Sequence, residues 1–114
     1  MRNITRISDS ADICTLINTF DAKPQNEKCI VDLLRRFTLE ASRHPGFIAA
    51  SIHVSLGGER VVNYVQWKTR DDLAAMLQTE AAQQHMAEVG ALADAVTPVF
   101  YRVAFVGAGQ NVEP

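Results

Sequence analysis

The side chains best suited to chemistry lie close together in one short segment, residues 61–67. Asn63 and Trp67 are four residues apart there, so in a β-strand they share one face, separated by valines. A carboxamide and an indole N–H that face an apolar space would form the polar wall of a small-molecule pocket. The alternative is a structural role, in which Trp67 is a core residue and Asn63 bonds to a neighbouring strand or helix.

Three histidines add groups that can exchange protons near neutral pH. His85 falls between the apolar positions of a predicted helix and is a candidate general base, or else an ordinary helix residue. His53 lies on a predicted strand, on a face of small and polar residues. If that face meets the helices, His53 lies near Asn63 and can bind substrate; if it meets a partner subunit, His53 is an interface residue. His44, before a proline, is expected to bind free carbonyls at a helix end.

Other side chains could complete such a pocket. Asn18 lies on the first predicted strand and is a further candidate polar residue for substrate binding. Phe37, Phe47 and Met76 could line a flat aromatic site while still packing in the core, although packing alone is the alternative.

The motifs of common cofactor sites are absent from the sequence. It contains no GxGxxG, no GxxxxGK[ST], no HExxH and no CxxC, so neither a bound cofactor nor a metal site is predicted. Cys14 and Cys29 have no metal-ligand spacing and are expected to be reduced thiols, packed inside a cytoplasmic protein. Any chemistry must therefore come from a few side chains and a shaped pocket.

Length and charge exclude several classes of function. A chain of 114 residues with 47% hydrophobic and 21% charged residues is expected to fold as one domain. Its net charge of −2, with the signs mixed along the chain, argues against a nucleic-acid partner. The apolar runs are far shorter than the roughly 18 residues of a membrane span, and residues 1–12 do not resemble a secretory signal.

Hydrophobic periodicity and turn residues place these groups on seven elements. After candidate caps at Thr69 and Thr79, apolar residues recur every three or four positions, which predicts two helical segments. The pair Gly57-Gly58 predicts a hairpin. We predict strands over 13–20, 47–56, 60–68 and 98–106, and helices over 24–44, from 70 onward, and over 80–95. Residues 1–11 then form an N-terminal extension, 12–106 the domain, and 107–114 a flexible tail.

The order β-α-β-β-α-β predicts an α+β fold of the ferredoxin-like type, with one antiparallel sheet and its helices on one face. The other face of such a sheet needs cover. Two copies packing sheet against sheet would supply that cover, so a homodimer is expected.

The hairpin region carries a recognisable string. Pro45-Gly46-Phe47, Ser51-Ile52-His53 and Gly57-Gly58 are followed by the segment Val61-Val62-Asn63-Tyr64-Val65-Gln66-Trp67. With the element order and Tyr101-Arg102-Val103, this resembles the antibiotic biosynthesis monooxygenase family of the dimeric α+β barrel superfamily, over roughly residues 12–106.

The resemblance implies a cofactor-independent monooxygenase of the anthrone type, a homodimer that uses O₂ as co-substrate to oxidise a polycyclic aromatic molecule, anthrone- or quinol-like, to a quinone. It implies that Asn63 and Trp67 hold and polarise a substrate oxygen, with His85 or His53 as a possible proton relay. Two alternatives stay open: a haem-degrading or quinol oxygenase of the same superfamily, and a non-enzymatic dimeric barrel that binds a small molecule.

Overall fold

The computed structural model describes residues 3–110, which form four strands and three helices. The strands form one antiparallel sheet in the order β2-β3-β1-β4, so β1 and β3 are central and β2 and β4 are edges. The predicted ferredoxin-like α+β fold is confirmed. The elements are β1 (Cys14–Asp21), α1 (Pro24–Ala41), β2 (Phe47–Val54), β3 (Arg60–Trp67), α2 (Arg70–Leu77), α3 (Glu80–Leu92) and β4 (Ala95–Tyr101).

The helix starts follow from local chemistry. Pro24 occupies the first turn of α1, where its missing N–H costs nothing. The hydroxyls of Thr69 and Thr79 accept the backbone N–H groups of Asp72 (3.0 Å) and Ala82 (3.2 Å), so both predicted caps are confirmed. These two caps divide the second helical region into α2 and α3.

Strand β4 begins three residues earlier and ends five residues earlier than the sequence predicts. Its partner is β1, and the pairing runs from Asp21 opposite Ala95 to Thr15 opposite Tyr101. Beyond Tyr101 the partner strand ends, so the apolar run 103–106 has no strand to pair with and is not β structure. Pro98 is tolerated because β4 is an edge strand, where a missing donor can face away from the sheet.

Helices and sheet enclose two hydrophobic clusters. One contains Trp67, Leu16 and Met76, and the other contains Val61, Phe20 and Ile30. Trp67, Val61 and Ile30 are fully buried. The odd-numbered residues of β3 therefore face the helices, as the alternation predicts.

On the opposite, outer face of the sheet, the side chain of Gln66 hydrogen-bonds to the N-terminal segment. The Gln66 side-chain oxygen accepts the N–H of Ser8 (3.1 Å), while its amide nitrogen donates to the Ser8 carbonyl (3.0 Å) and to Thr15 Oγ1 (3.0 Å). Gln66 is fully buried and Thr15 nearly so. Residue 8 of the predicted extension is thus tied to the domain. Of the predicted flexible tail, residues 111–114 lie outside the described residues.

No helix within residues 3–110 combines the length and the apolar character needed to cross a membrane. The two cysteines are free; Cys14 is buried, whereas Cys29 is exposed and so is not a packing residue of α1.

The hydrogen bonds of Gln66 with Ser8 and Thr15 give a test of the fold. We expect Gln66→Ala to lower the free energy of unfolding by about 1–3 kcal/mol, because it leaves buried partners unpaired. Trypsin should cleave after Arg6 faster in this variant, since residue 8 is no longer held. Urea denaturation and timed proteolysis measure both effects. Gln84→Ala, at an exposed position of α3, is the control. If the two variants have the same free energy of unfolding and the same rate of cleavage, the hydrogen bonds of Gln66 do not stabilise the N-terminal segment.

Candidate functional site

A cavity of about 460 Å³ lies between the helices and the inner face of the sheet. This volume is within the range of small-molecule sites, roughly 300–1,000 Å³. The space exists partly because Ala41 and Ala50 present short side chains to it. Its polar wall residues are Asn18, Thr38 and Asn63, with the indole of Trp67. The apolar ones are Leu16, Phe20, Leu34, Phe37, Ala41, Phe47, Ala50, Val65, Leu73, Met76, Leu77, Met86, Val89, Val96, Pro98 and Phe100.

The central strand pair positions the polar residues. Asn18 on β1 lies directly opposite Asn63 on β3, and Cys14 lies opposite Trp67. Because side chains alternate, Asn63 and Trp67 share the inner face, with Val65 between them. The two carboxamides thus form a cross-strand pair, and the indole lies farther along the same wall.

Two atoms of this wall are buried without a hydrogen-bond partner among the described residues, Asn63 Oδ1 and Trp67 Nε1. Leaving such atoms unpaired costs about 1–3 kcal/mol each. A carboxamide can turn to present either its oxygen or its NH₂, whereas the indole can only donate. The wall residues therefore carry hydrogen-bonding capacity that no described residue uses.

The Trp67 ring is fixed by its neighbours. It is fully buried, and Phe47 packs edge-on against it with ring centroids 5.3 Å apart and planes at 88°. The direction of the indole N–H is thus set by packing rather than by a hydrogen bond.

Most predicted pocket residues lie on the cavity wall. Asn18, Phe37, Phe47 and Met76 all line it together with the Asn63 and Trp67 pair. Their contact with substrate remains a prediction.

His53 does not lie in the cavity, which corrects the prediction that it binds substrate there. On β2, Ile52 pairs with Asn63 and shares the inner face, so His53 points to the outer face, opposite Val62. It is exposed, and its Nε2 lies 3.0 Å from Ser51 Oγ. Of the two faces that the sequence left open, the structure places His53 on the one away from the helices.

His85 lies beside the cavity rather than on its wall. Its ring stacks on Phe37, with centroids 5.4 Å apart and planes at 14°, and its Nδ1 is buried without a partner among the described residues. The predicted general base thus has a lining residue, Phe37, as its neighbour, but is not itself among the wall residues. The structure does not bring His85 together with Asn63 and Trp67.

Sequence reasoning missed some wall residues. Thr38 follows Phe37 on α1, and Phe100 lies on β4 in register with Leu16. Alternation along the strand places Phe100 on the same face as Pro98. The sequence alone does not say that this face meets the helices, which follows from the pairing of Phe100 with Leu16.

The wall residues within the described chain carry no ionisable side chain. The thiol of Cys14 lies nearby, and burial raises its pKa although Arg70 acts in the opposite direction. Burial also raises the pKa of Tyr64 on the outer face, against the effect of a hydrogen bond with Thr15. Among residues 3–110, no group of three His, Cys, Asp or Glu side chains is arranged to hold a metal ion.

Comparison with known sequences identifies relatives. The model of the antibiotic biosynthesis monooxygenase family matches residues 13–88. The tetracenomycin-F1 monooxygenase of Streptomyces glaucescens is 41% identical over 80 residues, which cover 69% of this chain and 71% of that enzyme.

Solved structures share the fold. A protein from Nitrosomonas europaea, provisionally assigned as an antibiotic biosynthesis monooxygenase, superposes with a TM-score of 0.75 at 21% identity, over 84% of this chain and 94% of its own. SnoaB from Streptomyces nogalater, a cofactor-independent oxygenase, gives 0.73 at 18% identity, over 84% and 97%.

The unpaired atoms of the site predict an unusual stability effect. Asn63→Leu should raise the free energy of unfolding by about 1 kcal/mol, because it removes a buried amide oxygen that has no partner among the described residues. Asn26→Leu is the matched control. Its amide donates to the Leu92 carbonyl at 3.2 Å, so this variant should lose about 1 kcal/mol. Urea denaturation measures both; a loss of stability in Asn63→Leu as large as in the control would show that Asn63 is structurally paired.

Proposed function

The chain belongs to the antibiotic biosynthesis monooxygenase family, and we propose that it uses O₂, without a cofactor, to oxidise a polycyclic aromatic molecule, anthrone- or quinol-like, to a quinone. The observation that carries this proposal is the pair of unpartnered polar atoms, Asn63 Oδ1 and Trp67 Nε1, on the wall of an open apolar cavity. With the Asn63 carboxamide turned to present its NH₂ group, both side chains could donate to an oxygen atom of a flat apolar molecule.

The first task of the site is to favour the substrate anion. An anthrone-like ketone or phenol that loses a proton becomes a delocalised anion with its charge on oxygen and carbon. Trp67 Nε1–H and the Asn63 NH₂ group would donate hydrogen bonds to that oxygen. In a dry site such a donor is worth about 2.7–4 kcal/mol, and the apolar wall here lacks competing charges.

The second task is to bring the anion and O₂ together while excluding water. The electron-rich anion reduces O₂, and a C–O bond forms at the ring carbon to give a peroxide. The O–O bond then breaks as the carbon loses its second hydrogen as a proton. One oxygen stays as the new carbonyl, and the other leaves as water with two protons, which balance the two that the carbon has lost. The substrate supplies all the electrons, so no external reductant is required. Exclusion of bulk water protects the reactive intermediate.

The aromatic side chains would hold the substrate flat. Phe37 and Phe47 are wall residues with Met76, and a polarisable thioether suits contact with an aromatic ring. Asn18, opposite Asn63, would bind a second oxygen of the substrate.

His85 has two possible roles within this proposal. Its stacking on Phe37 supports a positioning role, in which it fixes the orientation of that ring. A role as general base requires its ring to turn toward the substrate, because a base must reach the proton that it removes. We favour the positioning role, with the proton passing to solvent at the cavity mouth.

The alternative functions receive less support. A cluster of Asn18, Trp67 and His85 facing one cavity would favour a haem site, but His85 is not on the wall. A cavity filled by its own side chains, with Asn63 bonded to the backbone, would favour a non-enzymatic protein, but the cavity is open and Asn63 Oδ1 is unpaired. The cofactor-independent description of SnoaB, a relative in fold, supports the proposed chemistry.

A homodimer in the cytoplasm completes the proposal. The outer face leaves large apolar side chains exposed on β4 and on both terminal segments: Ile7, Val99, Tyr101 and Phe105. Between these segments and the sheet lies a second cavity of about 380 Å³. Packing of a second copy against this face would cover them. Two free thiols are typical of a reducing compartment.

Oxygen consumption with dithranol, an anthrone, tests the function. We expect turnover above the non-enzymatic rate by protein treated with a chelator and free of flavin and haem absorbance. Asn63→Ala and Trp67→Phe should each lower kcat by about 10²–10³-fold, because each removes one hydrogen-bond group at the developing charge. A Clark electrode and quinone absorbance measure both co-substrate and product.

His85→Phe is the matched variant, since it keeps an aromatic ring against Phe37 and removes both ring nitrogens. Activity within about threefold of the wild type would agree with a positioning role, whereas a loss as large as that of Asn63→Ala would assign the base to His85. Unchanged turnover in Asn63→Ala and Trp67→Phe would contradict the proposed mechanism.

A further inference from the structure

Arg70 makes a cation–π contact with Phe100, a residue of the cavity wall. The guanidinium carbon of Arg70 lies 4.0 Å from the centroid of the Phe100 ring, a cation–π distance. Phe100 lines the cavity and is 44% exposed, so this ring lies where the cavity opens to solvent. Arg70 is itself exposed, at the first position of α2.

Arg70 also lies at the tryptophan end of the cavity. It is close enough to Cys14 to counteract the rise in the pKa of that thiol, and Cys14 is the strand partner of Trp67. Phe100 is in register with Leu16, two residues along β1 from Cys14. Arg70 and Trp67 thus lie at the same end of the site.

The guanidinium has no carboxylate partner among residues 3–110. The ion pairs there join Arg35 with Asp32 and Arg60 with Asp21. A planar guanidinium with free N–H groups is the side chain best matched to a carboxylate, because it can donate two parallel hydrogen bonds. Asp71 and Asp72 follow Arg70 in the first turn of α2, but neither forms an ion pair with it. The cavity wall itself carries no charge.

We propose that Arg70 is a specificity residue for an aromatic carboxylic acid. The ring system of the ligand enters the apolar cavity, and its carboxylate stays at the mouth and pairs with Arg70. This inference rests on the proposed function for the ring-binding role of the cavity and adds the charge of the substrate to it. The contact with Phe100 keeps the guanidinium in place before the ligand arrives.

Ligand binding tests this without any turnover. Trp67 is the only tryptophan and forms part of the wall, so its fluorescence reports occupancy. Anthraquinone-2-carboxylate and anthraquinone-2-carboxamide share one ring system and differ in charge, and neither is a substrate for oxidation. Wild-type protein should bind the carboxylate about tenfold more tightly than the carboxamide, as expected for a charge-assisted pair at a partly exposed site. Added salt should reduce this preference.

Three variants separate charge from packing. Arg70→Met should lose the preference while its affinity for the carboxamide stays the same, and Arg70→Lys should keep part of the preference. Lys68→Met removes an exposed charge two residues away and should keep all of it. Calorimetric titration checks the affinities independently of fluorescence.

The outcomes distinguish this inference from the proposed function. If wild type and Arg70→Met bind the two probes with the same ratio of affinities, Arg70 only packs on Phe100, and the inference fails while the aromatic site stands. If neither probe binds to the wild type, the inference fails together with the proposed substrate class.

Discussion

The structure depends on one constraint: a fully buried tryptophan whose ring is fixed by packing and whose N–H has no partner among the described residues. Trp67 lies at the end of β3, against Phe47 and opposite Cys14. The apolar clusters on either side stabilise the sheet, but they leave this polar atom and Asn63 Oδ1 unsatisfied. A fold selected for stability alone would pair or replace such atoms, since each costs about 1–3 kcal/mol. Their retention beside an open cavity is what a binding site for an oxygen-bearing molecule requires.

The rest of the molecule positions this pair. The β1–β3 pairing places Asn18 opposite Asn63. The caps at Thr69 and Thr79 divide the helical region that covers the cavity into α2 and α3. On the outer face, Gln66 binds the N-terminal segment and buries Thr15. Neighbouring residues of β3 thus differ: Gln66 satisfies its polar atoms within the chain, whereas Trp67 Nε1 has no partner among the described residues.

Local patterns predicted the fold and the central pair because both depend on periods along the chain. Alternation on β3 sufficed to place Asn63 and Trp67 together, and cap chemistry sufficed to start two helices. The misplaced residues depend on partners distant in sequence. The side of the sheet on which His53 lies follows from the pairing of Ile52 with Asn63, and the extent of β4 follows from where β1 begins. The rotation of α3 that sets His85 against Phe37, and the contact of Arg70 with Phe100, arise from packing between elements and leave no periodic signal.

The proposed mechanism requires Trp67 Nε1–H and the Asn63 carboxamide to donate hydrogen bonds to a substrate oxygen. A crystal structure of the protein with 1,8-dihydroxyanthraquinone, the quinone of dithranol, tests it most directly. We expect the rings to lie between the helices and the sheet, with a ligand oxygen about 2.7–3.2 Å from Trp67 Nε1 and from the Asn63 carboxamide. A ligand bound on the outer face, or one in the cavity whose oxygens contact neither side chain, would contradict it.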